Sequence, residues 1–198
     1  MRVFDTFVKD RSLRILDVGC GNGTFLHHLH QSGFHHIAGI EPHETLLYDL
    51  ARRHPELNGK VVPGTASPLP FTDHSFDCIY FFNVLHHLTG PREYDRAFDE
   101  VLRCLSPGGQ VIFVEPCRKW IYASKRWMAG RLGRFFPFFR QMHAFMMEER
   151  DLMNQFMDHQ SYIRNALRQR ELERVHDQQF LHQWTVVARK RPGHANRD

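Results

Sequence analysis

The chain has 198 residues, of which 42% are hydrophobic and 24% are charged, and this composition is typical of one globular domain. Its glycines and prolines follow no repeat period, which excludes collagen-like and linker-dominated chains. The formal net charge of +4 is divided unevenly, because residues 1–116 carry −4 and residues 117–198 carry +8. The basic second half leaves open an anionic substrate, an anionic membrane surface or a nucleic acid as a partner.

Targeting, disulfide and metal signals are weak in this sequence. No apolar run approaches the ~18 residues of a membrane span, and residues 1–10 have the pattern of neither a signal nor a transit peptide, so we expect a cytoplasmic location. The cysteines at 20, 78, 104 and 117 lack Cys-x-x-Cys spacing and are expected to pack as small apolar side chains. The histidine clusters at 27–30 and 35–36 have no matching cysteine or carboxylate set, so no metal site is predicted.

Short apolar runs alternate with amphipathic stretches between residues 13 and 116, which predicts βαβ units and a parallel sheet. The predicted strands are residues 13–18, 36–41, 60–63, 76–82 and 110–115. The helices between them are predicted at residues 24–31, 44–53 and 91–105. The run at 76–82 is nearly all apolar, as expected of a central strand that is buried on both faces.

The pattern changes after Pro116. Residues 117–157 show no strand-like alternation and are rich in Phe, Trp and Met, which predicts a helical insertion within a single domain of residues 1–198. A separate helix is expected at 158–169. The runs at 171–177 and 183–190 are close enough in the chain to form an antiparallel hairpin, and the polar tail from Arg191 is expected to fray.

The segment from Asp17 to Gly23 reads Asp-Val-Gly-Cys-Gly-Asn-Gly and lies between a predicted strand and a predicted helix. Glycines let the backbone approach a ligand closely, and N–H groups at the start of a helix can donate to it. Glu41 ends the next strand, where a carboxylate can accept both hydroxyls of a ribose. The third glycine comes one residue too early for the Gly-x-Gly-x-x-Gly motif of dinucleotide sites. These residues favour an adenosine-containing cofactor over a dinucleotide.

The sequence resembles the class I S-adenosylmethionine-dependent methyltransferases, particularly the small-molecule enzymes of the ubiquinone and menaquinone type. The order and spacing of five segments carry the resemblance, and these segments are 15–23, 39–42, 68–77, 83–88 and 101–110. The resemblance implies an α/β fold with a Rossmann-like, seven-stranded, mostly parallel sheet whose last strand is antiparallel, and with a helical insertion after strand five. It also implies methyl transfer from S-adenosylmethionine to an oxygen, nitrogen or carbon acceptor.

The resemblance assigns cofactor-binding roles to residues in four segments. In the glycine loop, the residues assigned to the methionine and ribose portions are Asp17, Gly19, Gly21 and Gly23. Glu41 would bind the ribose hydroxyls and Pro42 would flank the adenine. Thr65 stands where such enzymes commonly place an aspartate at the adenine amino group, and Ala66 would contribute its backbone. Asn83, at the end of strand four, would line the transfer site.

Three residues near strands four and five are candidates for a general base. If the acceptor is a hydroxyl or a phenol, such a base would remove its proton and contribute about 10²–10⁴-fold to the rate. The candidates are His86, His87 and Glu115. The two histidines could instead pack in the core or cap a helix. Glu115 ends strand five at the edge of the sheet where ligands bind in such folds.

Residues 117–157 are expected to cover the methyl donor and bind the acceptor, with a packing face or a dimer contact as the alternatives. Their Met and aromatic side chains would form an adaptable apolar pocket. Seven basic side chains would bind a carboxylate or phosphate, or hold the segment on an anionic membrane: Arg118, Lys119, Lys125, Arg126, Arg131, Arg134 and Arg140. The predicted acceptor is therefore a small or medium amphipathic anion, such as an aromatic acid, a quinone precursor or a lipid-like metabolite.

Two other functions remain open from the sequence. A cofactor-binding regulatory protein would bind the same cofactor without turnover. An RNA methyltransferase is favoured by the isoelectric point near 9.0. Against RNA, the end of strand four at 81–84 lacks the Asn/Asp-Pro-Pro-aromatic stretch that many amino-methylating nucleic-acid enzymes carry, and no separate RNA-binding module is visible. A nucleic-acid partner is therefore not expected.

Overall fold

The computed structural model describes residues 2–117, 119–170, 172–180 and 183–191. Seven strands form one sheet in the order β3-β2-β1-β4-β5-β7-β6. The strands are β1 (Ile15–Val18), β2 (Ile37–Glu41), β3 (Val61–Pro63), β4 (Phe76–Phe82), β5 (Leu105–Pro116), β6 (Leu172–Phe180) and β7 (Gln183–Lys190). The helices are α1 (Arg2–Phe7), α2 (Thr24–Gln31), α3 (Glu44–Arg53), α4 (Pro91–Cys104), α5 (Lys119–Leu132), α6 (Pro137–Glu148) and α7 (Arg150–Gln169).

The pairing of the strands confirms the predicted fold class. β1 pairs in parallel with β2 and β4, and β4 pairs in parallel with β5. β7 is antiparallel to both of its neighbours, β5 and β6. Because β1, β2, β4 and β5 run in the same direction, the segments that follow them meet at one edge of the sheet.

Helices cover the sheet on both faces, and side chains of the central strands alternate between the two resulting cores. In β4, Ile79 and Phe81 pack with residues of α4 and α7 on one face. Cys78 and Tyr80 pack with residues of α1 and α2 on the other. All four cysteines are buried, as the sequence predicted. The two-sided burial explains why β4 and the end of β5 are nearly uninterrupted apolar runs.

The largest differences from the prediction lie at the starts of β5 and α7. β5 begins at Leu105 rather than Gln110, because Phe76 pairs with Leu105 and Cys78 pairs with Gln110, so that residues 106–109 form a bulge inside the ladder. The helix predicted at 158–169 is confirmed as far as its end at Gln169, but α7 begins earlier, at Arg150, inside the segment assigned to the insertion. The apolar spacing continues through both halves of this helix, with buried side chains at 153, 156, 163 and 167.

Three further observations complete the fold. The short helix α1 was not predicted, and its Phe4 packs edge-on against Phe25 and Tyr80. β6 extends to Phe180, beyond the predicted end at 177, while the predicted first residue, Glu171, and the polar tail beyond Arg191 lie outside the described residues. Within the part of the chain that the structure describes, no helix is both long and apolar enough to cross a membrane.

Candidate functional site

A cavity of about 650 Å³ opens at the edge of the sheet where the parallel strands end. Its walls come from the segments after β1, β2, β3 and β4, from α4, and from the junction of α6 and α7. Eight residues with a predicted site role line it: Gly19, Gly21, Glu41, Pro42, Thr65, Ala66, Asn83 and His87. The structure thus brings together most of the residues that the sequence selected.

The glycine loop forms one wall because its backbone takes conformations that side chains disfavour. Gly19 and Gly21 have φ angles of 69° and 56°. A Cβ at Gly19 would lie 2.6 Å from Val84 Cγ2, so this glycine permits close contact with the segment after β4. A Cβ at Gly21 would meet no atom within 4 Å. Gly21 also lines the cavity. A side chain at this position would therefore extend into the cavity and take up space that a ligand can occupy.

Glu41 joins two loops and still faces the cavity. Its side chain is buried, and its Oε2 accepts a hydrogen bond from the Gly21 N–H at 2.9 Å. Its Oε1 accepts another from the His43 N–H at 3.0 Å. An ionised carboxylate offers about four acceptor directions, so about two remain for a ligand. This geometry suits a pair of ribose hydroxyls.

Asp17 and Gly23 have predicted cofactor roles, but neither lines the cavity. Asp17 is buried, and desolvation together with the nearby Glu41 raises the pKa of its carboxyl well above the usual range. Gly23 precedes α2 in a left-handed conformation, and a Cβ there would lie 2.7 Å from Leu50 Cγ. Both residues lie beside the glycine loop without lining the cavity, and their direct contact with the cofactor stays a prediction.

The segments after β3 and β4 form the opposite wall. Thr65 donates its hydroxyl to the Ser67 carbonyl at 3.0 Å, which leaves lone pairs of Oγ1 as acceptors. Asn83 has a φ angle of 56°, a left-handed conformation that asparagine tolerates better than most residues. Its N–H donates to the Val114 carbonyl at 2.9 Å. Asn83 thereby turns the chain at the end of β4 toward the 3₁₀ turn at Leu85–His87.

Glu115 lies beneath this turn rather than in the cavity. It is fully buried, and its Oε1 accepts hydrogen bonds from the Val84 and Leu85 N–H groups, both at 2.7 Å. Its Oε2 lies 2.8 Å from Nδ1 of His86, which is also buried. Neither Glu115 nor His86 lines the cavity, so the structure replaces their predicted contact with substrate by a role in holding the turn.

His87 and Glu149 meet on the cavity side of the same turn. Glu149 Oε1 lies 3.8 Å from His87 Nε2, and Glu149 Oε2 lies 3.9 Å from His86 Nε2. These distances are too long for hydrogen bonds. Desolvation, followed by the neighbouring His86, lowers the pKa of His87, and desolvation raises the pKa of Glu149. Sequence reasoning missed Glu149, although Glu148 and Glu149 are the first acidic residues after Glu115.

Among the described residues, two groups of side chains have metal-ligating atoms within 4.8 Å of one another: His86, His87 and Glu149, and the partly buried His27, His54 and Glu56. The second group brings Glu56 to one of the histidine clusters for which the sequence showed no carboxylate. The absence of a metal site stays a prediction.

The acceptor side of the cavity differs from the prediction. Phe145 lines it, which agrees with an acceptor role for the helical segment. Arg126 and Arg134 do not line it, because they lie on α5 and on the turn before α6, and Arg118 lies outside the described residues. Among the described residues that line the cavity, the guanidinium is that of Arg96 on α4, which no sequence motif identified.

Comparison with known proteins places these features in a family. Residues 16–113 match the family described as "Methyltransferase domain". A tRNA U34 carboxymethyltransferase of Azotobacter vinelandii is 35% identical over 105 residues, which cover 52% of this chain and 32% of that protein. A demethylmenaquinone methyltransferase of Clavibacter sepedonicus is 36% identical over 102 residues, which cover 52% of this chain and 40% of that protein. The chain thus matches well under half the length of these relatives.

The solved structures agree in fold. An S-adenosylmethionine-dependent methyltransferase from Mesorhizobium loti superposes with a TM-score of 0.65 and 18% sequence identity, covering 95% of this chain and 96% of that one. This likeness extends through the β6–β7 hairpin and the helical segment. The family match, the strand order and the glycine loop with Glu41 confirm the resemblance: the chain belongs to the class I S-adenosylmethionine-dependent methyltransferases.

Proposed function

We propose that this protein transfers a methyl group from S-adenosylmethionine to a small or medium, partly apolar acceptor that carries an anionic group. One observation carries this proposal. A single cavity is lined by the glycine loop and Glu41 and also by Arg96, Phe145 and Glu149. Residues suited to a nucleoside and residues suited to an amphipathic anion therefore share one cavity.

The residues present fit the cofactor. Gly21 leaves the backbone of the loop open to a ligand, and Glu41 keeps acceptor directions free for ribose hydroxyls. Pro42 and Thr65 would flank the adenine. S-adenosylmethionine, when bound, supplies a methyl group that its sulfonium has already activated. The protein's own contribution is then mainly to orient the acceptor, which can account for roughly 7–11 kcal/mol of barrier reduction.

Arg96, Leu88 and Phe145 would hold the acceptor. Phe145 and Leu88 offer apolar surface to the cavity, and burial of such surface contributes roughly 25 cal/mol per Å². The guanidinium of Arg96 can bind a carboxylate or phosphate through two parallel hydrogen bonds. Arg96 therefore takes the orienting role that the sequence assigned to arginines of residues 117–157.

Where the acceptor carries a proton that must leave, His87 and Glu149 are the side chains placed to accept it. The lowered pKa of His87 keeps its imidazole neutral at pH 7, and the raised pKa of Glu149 makes this carboxylate a better base. Glu115 would act through His86, by holding the turn that carries His87. Glu149→Gln should lower kcat about 10²–10⁴-fold for a hydroxyl acceptor. The control Glu148→Gln, which changes the exposed neighbouring carboxylate, should leave kcat unchanged.

Calorimetry with S-adenosylhomocysteine tests the cofactor half of the proposal. Glu41→Gln should weaken binding by about 1.5–3 kcal/mol, because a charge-assisted acceptor is lost. Glu44→Gln removes an exposed carboxylate three residues away and serves as the matched control. Equal affinities of the two variants would remove Glu41 from the site. Thermal melts of both variants separate loss of binding from loss of fold.

A panel of acceptors tests the other half, with formation of S-adenosylhomocysteine as the readout. Amphipathic anions should turn over faster than cations and neutral sugars. Arg96→Gln should raise KM more than it lowers kcat, whereas Arg92→Gln, on an exposed position of the same helix, should change neither. Cofactor binding without turnover of any acceptor would support a regulatory protein instead.

The relatives suggest a competing acceptor. One is named for carboxymethyl transfer to tRNA and the other for methylation of demethylmenaquinone, but each match covers only about half of this chain. We favour the quinone-like, partly apolar class because Phe145 and Leu88 line the cavity. Including tRNA in the panel distinguishes the two, and turnover of tRNA alone would overturn the small-molecule proposal.

A further inference from the structure

The helices α5 and α6 form a hairpin whose composition is unlike that of the rest of the chain. We define residues 123–147 as the basic hairpin. This stretch contains five Lys or Arg residues and no Asp or Glu. All of its residues are described, and among their side chains only Ala129 and Met146 are buried. The basic hairpin therefore contributes little to the cores on either face of the sheet.

Seven exposed side chains of the basic hairpin are aromatic or Met. At the turn between the two helices, Phe135, Phe136 and Phe138 are 76%, 55% and 68% exposed. The other large apolar side chains exposed along the hairpin are Trp127, Met128, Phe145 and Met147. Contiguous exposed apolar surface of this kind marks an interaction site.

Small residues let the two helices of the basic hairpin approach closely. A Cβ at Gly133 would lie 3.0 Å from Arg140 Cα, and a Cβ at Gly130 would lie 2.9 Å from the His143 ring. Phe136 and Phe138 each pack edge-on against Phe139. More than half of the surface of Phe136 and of Phe138 nevertheless stays exposed and available to a partner.

We propose that the basic hairpin docks on an anionic lipid bilayer. Aromatic side chains favour the interfacial region of a bilayer, and Lys and Arg beside them are attracted to anionic headgroups. The absence of acidic residues from 123 to 147 complements such a surface, and the first acidic residue, Glu148, stands at the end of α6 beyond this stretch.

Charge and composition argue against two other partners for the basic hairpin, a second copy of the chain and a nucleic acid. A second copy of the chain would place one acid-free basic surface against another if the interface were symmetric, and like charges would oppose the contact. Proteins bind nucleic acids through Arg and Lys together with uncharged polar side chains such as Ser, Thr, Asn, Gln and Tyr. The basic hairpin has the basic residues, but of the uncharged polar types it contains only Ser124 and Gln141.

Phe145 connects the docking surface with the cavity, because it is more than half exposed on α6 and also lines the cavity wall. A lipid-soluble acceptor could therefore pass from the bilayer to the cavity along α6. This consequence rests on the proposed function, whereas docking itself does not.

Vesicle co-sedimentation of the full chain tests the proposal without any methyl acceptor. Binding to phosphatidylcholine vesicles that contain phosphatidylserine should exceed binding to phosphatidylcholine alone, and added salt should weaken it. The double variant Arg131→Gln/Arg134→Gln should lose about 25-fold in affinity, at about fivefold for each charge. Phe135→Ser/Phe138→Ser should lose about tenfold or more, because both rings would leave the interface.

Matched controls lie elsewhere on the surface. Phe180→Ser removes an equally exposed phenylalanine from β6, and Arg53→Gln/Arg168→Gln removes two exposed charges from α3 and α7. Both controls should bind vesicles as the unmodified chain does, and all variants should retain binding of S-adenosylhomocysteine. Equal losses in hairpin and control variants would overturn the proposal. Absence of vesicle binding would also overturn the proposal. If vesicle binding were absent and the hairpin instead bound RNA, or formed dimers in sedimentation velocity, the partner would be RNA or a second copy of the chain.

Discussion

The central sheet and the basic hairpin use similar amino acids in opposite ways. Phe81 and Phe113, on neighbouring strands of the sheet, are almost completely buried, and their ring centroids lie 5.1 Å apart. Phe135 and Phe138, at the turn of the hairpin, are mostly exposed. Apolar residues in the sheet therefore stabilise the fold, while those in the hairpin are available for binding. Apolar content alone does not distinguish these roles, but strand-like runs and nearby charges do.

The largest expected effect tests this contrast directly. Phe113→Ala should lower the free energy of unfolding by about 3–5 kcal/mol, because it leaves a cavity against Phe81 and Phe98. Phe138→Ala makes the same chemical change at an exposed position and should alter stability by about 0.5 kcal/mol or less. Urea denaturation measures both. Similar losses would mean that the hairpin belongs to the cooperative core.

The sheet was predictable because local and global signals agree there. β4, β7, α2 and α3 begin and end at the predicted residues. Glycine or proline stands near most of these boundaries, for example at Gly33 and Pro42, and the apolar periods fit the observed burial. The seven-stranded sheet with an antiparallel last strand followed from the resemblance. The strand order comes from the structure alone, since periodicity along the chain does not specify which strands are neighbours.

The candidate site was predictable only where backbone shape determines it. Gly19, Gly21 and Glu41 follow strands in a recognisable pattern and do line the cavity. Arg96 and Glu149 line it through packing of α4 and of the α6–α7 junction, which are far apart in sequence. Glu115 was selected for its place at the end of β5, but two backbone N–H groups after β4 compete for its carboxylate. Such tertiary contacts leave no periodic signal.

The next effect concerns the glycine loop that follows β1. It distinguishes backbone strain from the loss of space for the ligand. Gly21→Val should weaken cofactor binding by about hundredfold or more, which is about 2.7 kcal/mol, because the side chain would enter the cavity. Gly59→Val is the matched control, since Gly59 also has a positive φ and open space around a Cβ but does not line the cavity. Calorimetry reports binding and circular dichroism reports the fold. Loss of binding in both variants would indicate strain rather than ligand contact.

A smaller effect concerns the opposite edge of the sheet, where Asp77 joins the starts of β1 and β4. Its Oδ2 accepts from the Arg14 N–H, and its Oδ1 lies 2.8 Å from Arg14 Nη2. Hydrogen bonds from Arg14 hold the pKa of Asp77 well below its usual range. Asp77→Asn should therefore lower the free energy of unfolding by about 1–2 kcal/mol at pH 7. This loss is smaller than that expected for a fully buried ion pair, because Arg14 is partly exposed.

The sign of the pH dependence follows from the lowered pKa. A carboxylate with a depressed pKa in the folded state stabilises it above the unfolded-state value of about 3.9 and loses this contribution as pH falls below it. The difference between Asp77→Asn and the unmodified chain should thus be constant from pH 7 to about pH 5 and shrink at lower pH. Asp73→Asn changes a more exposed carboxylate and should lower the free energy of unfolding by about 0.5 kcal/mol or less at any pH. A difference that stays constant down to pH 2 would contradict the ion-pair explanation.

The smallest expected effect concerns local opening of the basic hairpin. Trypsin should cut first within the basic hairpin, at Lys125, Arg131, Arg134 or Arg140, because the segment buries few side chains and can open without unfolding the sheet. Arg52 and Arg53 on α3 are the internal control, since they are also exposed but belong to a helix that packs Leu50 into the core. Cofactor together with an acceptor should slow cleavage of the hairpin a few-fold, because Phe145 and Glu149 line the cavity that both ligands would fill. Cleavage at α3 should change only with global stability. If ligands protected both sites equally, the hairpin would not respond to the cavity separately from the rest of the fold.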